Sequence, residues 1–134
     1  MDATETAFAR AVERGAVPAD AFGHRAHLRV AWVYLGEGPS EDAALGRMRT
    51  AVRQISVSAG KPDKYHETLT QFWMARLSEA RAASPGARSL DEVLERHPHL
   101  LNKDLALVFY SPDRVMSDEA RRAWVPPDRW PAGA

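Results

Sequence analysis

The chain has 134 residues, a formal net charge of zero and a pI near 7.0. That length suits a single domain with a real core, and the charge balance argues against a dedicated nucleic-acid binder. With no cysteine present, disulfides, thiolate metal sites and cysteine nucleophiles are excluded.

Arginine dominates the basic residues and alanine is abundant, a composition similar to that of proteins from GC-rich bacterial genomes. The longest apolar runs, VAWVYL and LALVFY, fall far short of the roughly 20 residues that cross a bilayer. The opening MDATETAFARAVERG has no basic start followed by an apolar stretch, so no secretory signal is visible. The expectation is a soluble cytoplasmic protein that does not engage a membrane.

The punctuation predicts helix, turn, helix throughout. A first helix covers Ala3 to Arg14, with Asp2 as its cap and Gly15 past its end. Pro18 and Gly23 mark a connector. A second helix spans about His24 to Leu35, where Leu28, Ala31, Trp32 and Leu35 follow the i, i+3, i+4, i+7 spacing of a buried face. Ser40 caps a third helix, with Glu41 and Asp42 at the positive end of its dipole and Leu45, Met48, Val52 and Ile55 as its stripe.

Asp63 is the predicted cap of a fourth helix from about Lys64 to Ala83, with Tyr65, Leu69, Phe72, Trp73, Leu77 and Ala80 on its apolar side. Ser89 and Glu92 fit a capping box for a short fifth helix ending near Arg96. Leu101, Leu105, Val108 and Phe109 suggest another helix between Pro98 and Pro112. Ser117 caps a last one through Trp124, and the proline-rich tail, containing Trp130, is expected to extend over the surface. No segment alternates with period two, so a sheet is not expected. The expected fold is all-α: a compact single-domain bundle of about five or six helices.

Histidine spacing supplies the functional lead. His24 and His27 lie three residues apart, on nearly the same side of one helix, and both look toward its apolar stripe or its edge. His66 falls on the line of Leu69, Thr70, Trp73 and Leu77, while Glu67 is rotated toward Gln71 and Met74. Packed face to face, the two helices would let His24, His27 and His66 line one cavity. Imidazoles from facing helices are how bundles build metal sites, and three of them with a carboxylate match a zinc or non-haem iron centre with an open position.

The expected metal ligands are therefore His24, His27 and His66, for a divalent iron or zinc ion. Glu67 serves as fourth ligand or general base, and Tyr65 as proton donor. Lys64 and Arg25 could neutralise an anionic substrate, Trp73 could wall the pocket, and Thr70 could orient an imidazole through its hydroxyl. Each has a plain structural alternative: boundary histidines that are hydrogen-bonded, aromatics that pack as core, a Thr hydroxyl bonding its own backbone. Walker, G-x-G-x-x-G and G-x-S-x-G patterns are missing from the sequence.

Four segments carry a resemblance: FGHRAHLRVAWVYL, GKPDKYHETLTQFWM, HPHLLNKDLALVFYSPD and SDEARRAWVPPD. From Phe22 to Asp128 the chain resembles a family of small all-helical bacterial hypothetical proteins. The marks are an H-x-x-H segment (His24, His27), a K-Y-H-E-T segment (Lys64 through Thr68) and a W-V-x-P-D segment (Trp124, Val125, Pro127, Asp128). The resemblance implies the helical layout rather than a reaction.

The leading expectation is a small metal-dependent enzyme acting on a small polar or anionic metabolite. One alternative is a non-enzymatic helical module that binds a ligand or a protein partner, with structural histidines. Another is a metal-free enzyme using His66 and Glu67 as acid and base. A homodimer is compatible with all three.

Overall fold

The computed structural model describes residues 3–129. The expected Asp2 cap and Trp130 of the tail lie outside them. The described residues form eight α-helices and no strand, so the chain is all-α. They are α1 (Ala3–Glu13), α2 (His24–Glu37), α3 (Glu41–Ser58), α4 (Glu67–Ala82), α5 (Leu90–Arg96), α6 (Ala106–Phe109), α7 (Pro112–Val115) and α8 (Asp118–Arg122). Single 3-10 turns sit at Ala19–Ala21, Pro62–Lys64 and Pro98–Leu101.

The serines predicted as caps do cap. Ser40 Oγ accepts the Ala43 amide, Ser89 Oγ the Glu92 amide and Ser117 Oγ the Ala120 amide. Each satisfies one of the first-turn N–H groups that a helix cannot pair internally.

Several boundaries differ from the sequence expectation, among them the end of the last helix, at Arg122 rather than Trp124. The fourth helix does not start at Lys64: Pro62 directs Pro62–Lys64 into a 3-10 turn, and α4 begins at Glu67 with His66 as its cap. The segment from Leu101 to Phe109 is helical only over Ala106–Phe109. A further short helix, α7, opens at Pro112 behind the Ser111 cap. There Pro112 starts a helix rather than merely bounding one, because the first helical position needs no amide hydrogen.

α2 is the central helix. Eight of its residues are buried, more than one face can hold, so it packs against α1, α3, α4 and α5. The buried apolar side chains make two clusters. The larger gathers Leu28, Val30, Val33 and Tyr34 of α2 with Met48, Leu77, Leu90 and Leu100, and the smaller centres on Phe72, Tyr110 and Val125. Trp73 packs against both. Each fully buried Leu or Phe contributes about 1.5–3 kcal/mol through removal of apolar surface from water.

The C-terminal segment docks through main-chain groups. Thr68 Oγ1 donates to the Ala123 carbonyl at 2.8 Å and accepts the Val125 amide at 3.2 Å. Tyr110 donates its hydroxyl to the Val125 carbonyl at 2.7 Å, and Asp128 accepts both the Ser111 amide and hydroxyl. These bonds close the segment over the start of α4, which sets one wall of the site described next. Among the described residues no helix is long and apolar enough to cross a membrane.

Candidate functional site: an apolar cleft with histidine walls

Between α2, α3 and α4 lies a cleft of about 330 Å³. Leu28 and Ala31 of α2, Met48 and Val52 of α3, and Leu69, Trp73 and Met74 of α4 give it apolar walls, with Phe22 at one end. His24, His27, His66, Lys64 and Thr70 line it as well. A concave, mostly apolar site with a few converging polar groups is the usual form of a small-molecule pocket. A larger groove of about 770 Å³ runs past the end of α2, where Trp32 lies beside Arg81 and Arg88. Its two arginines are both exposed, and no histidine lines it.

The three imidazoles share the cleft but differ in what their nitrogens do. His24 donates Nε2–H to the Leu100 carbonyl at 2.7 Å. His27 donates Nδ1–H to the Gly23 carbonyl at 3.0 Å. A carbonyl only accepts, so each bond fixes the tautomer of the neutral ring and leaves a lone pair on the other nitrogen, Nδ1 of His24 and Nε2 of His27. Both rings are held by aromatics: His27 lies 4.5 Å from Phe22, and His24 meets Trp73 edge-on at 4.4 Å between centroids.

His66 has no nitrogen to spare. Its Nε2–H donates to the Val115 carbonyl at 2.6 Å and its Nδ1 accepts the Leu69 amide at 3.1 Å. The cap position explains this. With extended backbone (φ −133°, ψ 105°) the ring folds back over the first turn of α4. Burial pushes the pKa of His66 down, opposed by its bond to Val115 and assisted by Arg121. Burial likewise lowers His27, with the Gly23 bond opposing and His24 assisting.

Glu67 turns away from the cleft into a separate knot. Arg49 on α3 grips it through Nε (3.0 and 2.9 Å) and Nη2 (2.6 Å). Tyr65 donates its hydroxyl to Oε1 and Gln71 its amide to Oε2, both at 2.6 Å. Burial alone would raise the carboxyl pKa, but the bonds from Arg49, Tyr65 and Gln71 outweigh it and hold Glu67 below the usual carboxylate range. The Tyr65 hydroxyl is pushed up to about 12 by burial and by Glu67, and the Arg53 guanidinium covers its ring at 4.5 Å.

These placements do not bring the expected metal ligands together. Among the described residues no three His, Asp or Glu side chains gather so as to hold a metal ion. His66 cannot ligate without giving up a cap or a carbonyl bond, and Glu67 already neutralises Arg49. The donors present therefore do not fit a zinc or iron centre, which needs several free nitrogens or oxygens around one point. Tyr65 is likewise no proton donor to the cleft, since its hydroxyl is committed to Glu67 and its ring faces Arg53.

The remaining candidates divide. Arg25 lies outside the cleft and pairs with Asp91, both exposed. Thr70 lines the cleft, but its hydroxyl donates to the His66 carbonyl at 2.8 Å, the local bond a helical Thr commonly makes. Trp73 is a wall, and Lys64 is an exposed ammonium that lines the cleft without an ion-pair partner among the described residues.

Arg49 and Gln71 escaped the sequence reading. Gln71 was discoverable as the i+4 neighbour of Glu67. Arg49 borders the apolar stripe of α3, and only tertiary packing brings it to Glu67. No family model, curated protein or solved structure matches the chain.

Proposed function

We propose that this protein is a small-molecule binding module whose ligand sits in the α2–α4 cleft, without a metal. The observation that carries this reading is the cleft itself. Its walls are apolar side chains from three helices, yet two imidazoles on α2 keep ring nitrogens unused by the fold. Packing alone has no use for such nitrogens, and a ligand does.

Acid–base chemistry by His66 and Glu67 finds no support in the geometry. One has both nitrogens bonded and the other is locked by Arg49, Tyr65 and Gln71. A general base must reach the proton it removes, and neither presents a free atom to the cleft.

Titration with naphthalene, followed by methyl NMR in the presence and absence of a chelator, tests the reading. Saturable shifts should appear at Leu28, Val52, Leu69 and Met74 with sub-millimolar affinity, unchanged by the chelator. An absence of saturable shifts at these methyls, or binding that requires added divalent metal, would overturn the proposal.

A further inference from the structure

The unused ring nitrogens specify the ligand more closely, and this step rests on the binding reading above. We infer that the cleft selects uncharged molecules with an aromatic-sized apolar body and one O–H or N–H donor, of the phenol or naphthol class.

The argument starts from hydrogen-bond inventory. His24 spends Nε2–H on Leu100, and His27 spends Nδ1–H on Gly23. What each neutral ring has left is an acceptor, not a donor. The carbonyls sit on the chain itself, so a ligand cannot easily reverse the tautomers. Among the described residues, Trp32 Nε1 is the fully buried side-chain polar atom without a partner. The His24 Nδ1 and His27 Nε2 atoms, on half-buried rings, are not among the sealed atoms without a partner.

The other lining polar groups compete poorly. His66 has both nitrogens engaged and Thr70 has its hydroxyl hydrogen engaged. A ligand donor therefore has acceptors available on α2, whereas a ligand that only accepts has no matching donor there.

Charge narrows the class further. No Asp or Glu lines the cleft, so a cationic donor such as an ammonium would enter without a counter-ion. Lys64 is the lining cation, but it is exposed, and it would have to offset placing an anion against two acceptor nitrogens. Size follows from volume. A cavity of about 150 Å³ holds benzene, so 330 Å³ takes a two-ring body. Trp73 and Phe22 supply flat surfaces, and Met48 and Met74 adaptable ones.

The test is calorimetry on the full chain with four probes of one shape: naphthol, naphthalene, naphthoate and naphthylmethylamine. Naphthol should bind about tenfold tighter than naphthalene, the worth of one net hydrogen bond, and tighter than either charged probe. That preference should fall to about threefold or less in His27→Phe or His24→Phe, each of which keeps a ring but removes the acceptor. Naphthalene affinity should change little in those variants.

Nitrogen-15 NMR of the imidazoles supplies a second readout that needs no variant: naphthol, and not naphthalene, should shift an unprotonated ring nitrogen. Equal binding of naphthol and naphthalene would overturn this inference while leaving the binding reading intact. So would a preference that survives both variants, or tightest binding by naphthoate or the amine. Binding by none of the four would overturn both.

Discussion

Two helices in this protein open with histidine, and they use it in opposite ways. On α2, His24 and His27 lie inside the helix, past the cap position from which a side chain folds back onto the first-turn amides. Each donates to a carbonyl and keeps a lone pair. On α4, His66 stands one position earlier, at the cap itself, and its lone pair is consumed by the Leu69 amide. Position relative to the helix start thus separates imidazoles that keep an unused acceptor from one built into the fold. Glu67 follows the second pattern: it opens α4 and is wholly spent on Arg49, Tyr65 and Gln71.

The contrast breaks most readily at Glu67. Glu67→Ala should cost about 3 kcal/mol in urea unfolding, because it strips a buried carboxylate from Arg49 and leaves the Tyr65 hydroxyl unpaired. Removing Arg49 as well should recover part of that loss, since the two are coupled. A neutral Glu67→Ala would mean that the start of α4 is held by other contacts.

Next is His66. His66→Ala should cost about 2 kcal/mol and His66→Asn about half as much, because Asn still caps the helix but cannot reach Val115. Equal losses in the two variants would show that the cap contributes nothing.

The pH dependence sharpens the comparison. Burial lowers both His27 and His66 from the ordinary 6.5. The unfolded chain therefore binds more protons than the folded one below that value, and stability falls as pH drops below 6.5 toward the folded pKa values. Their contribution is fully present above 6.5. Urea midpoints should decline on acidification before the carboxylates titrate, and His66→Asn should flatten that slope. An unchanged slope in this variant would remove His66 from the account.

The smallest effect belongs to Arg25, on the solvent side of α2. Its pair with Asp91 is exposed, so Arg25→Ala should change stability by less than about 0.5 kcal/mol and leave naphthol affinity unaltered. A loss of affinity would show that ligand contacts reach beyond the cleft.

Much of the helical layout was legible because it is local. Ser40, Ser89 and Ser117 sit where caps must sit, and the Leu28, Ala31, Trp32 and Leu35 stripe is buried as its spacing implies. The start of α4 is not legible in the same way, because Asp63 looks like a cap, whereas Pro62 commits the chain to a 3-10 turn before the helix. At the site, the residue types were readable but their valences were not. The partners that decide them are the main-chain carbonyls of Gly23, Leu100 and Val115. Every residue type offers the same carbonyl, so no side-chain pattern marks which one will arrive.

Sequence by itself determined that this chain is helical and which faces are apolar, because capping and 3.6-residue periodicity act over a few neighbouring residues. Tertiary structure alone decided the fate of each imidazole and of Glu67. Leu100 lies 76 positions from His24, Val115 lies 49 from His66, and Arg49 lies 18 from Glu67. Which hydrogen-bonding valence remains for a ligand is what is left after such long-range pairings are made, and only the folded chain makes them.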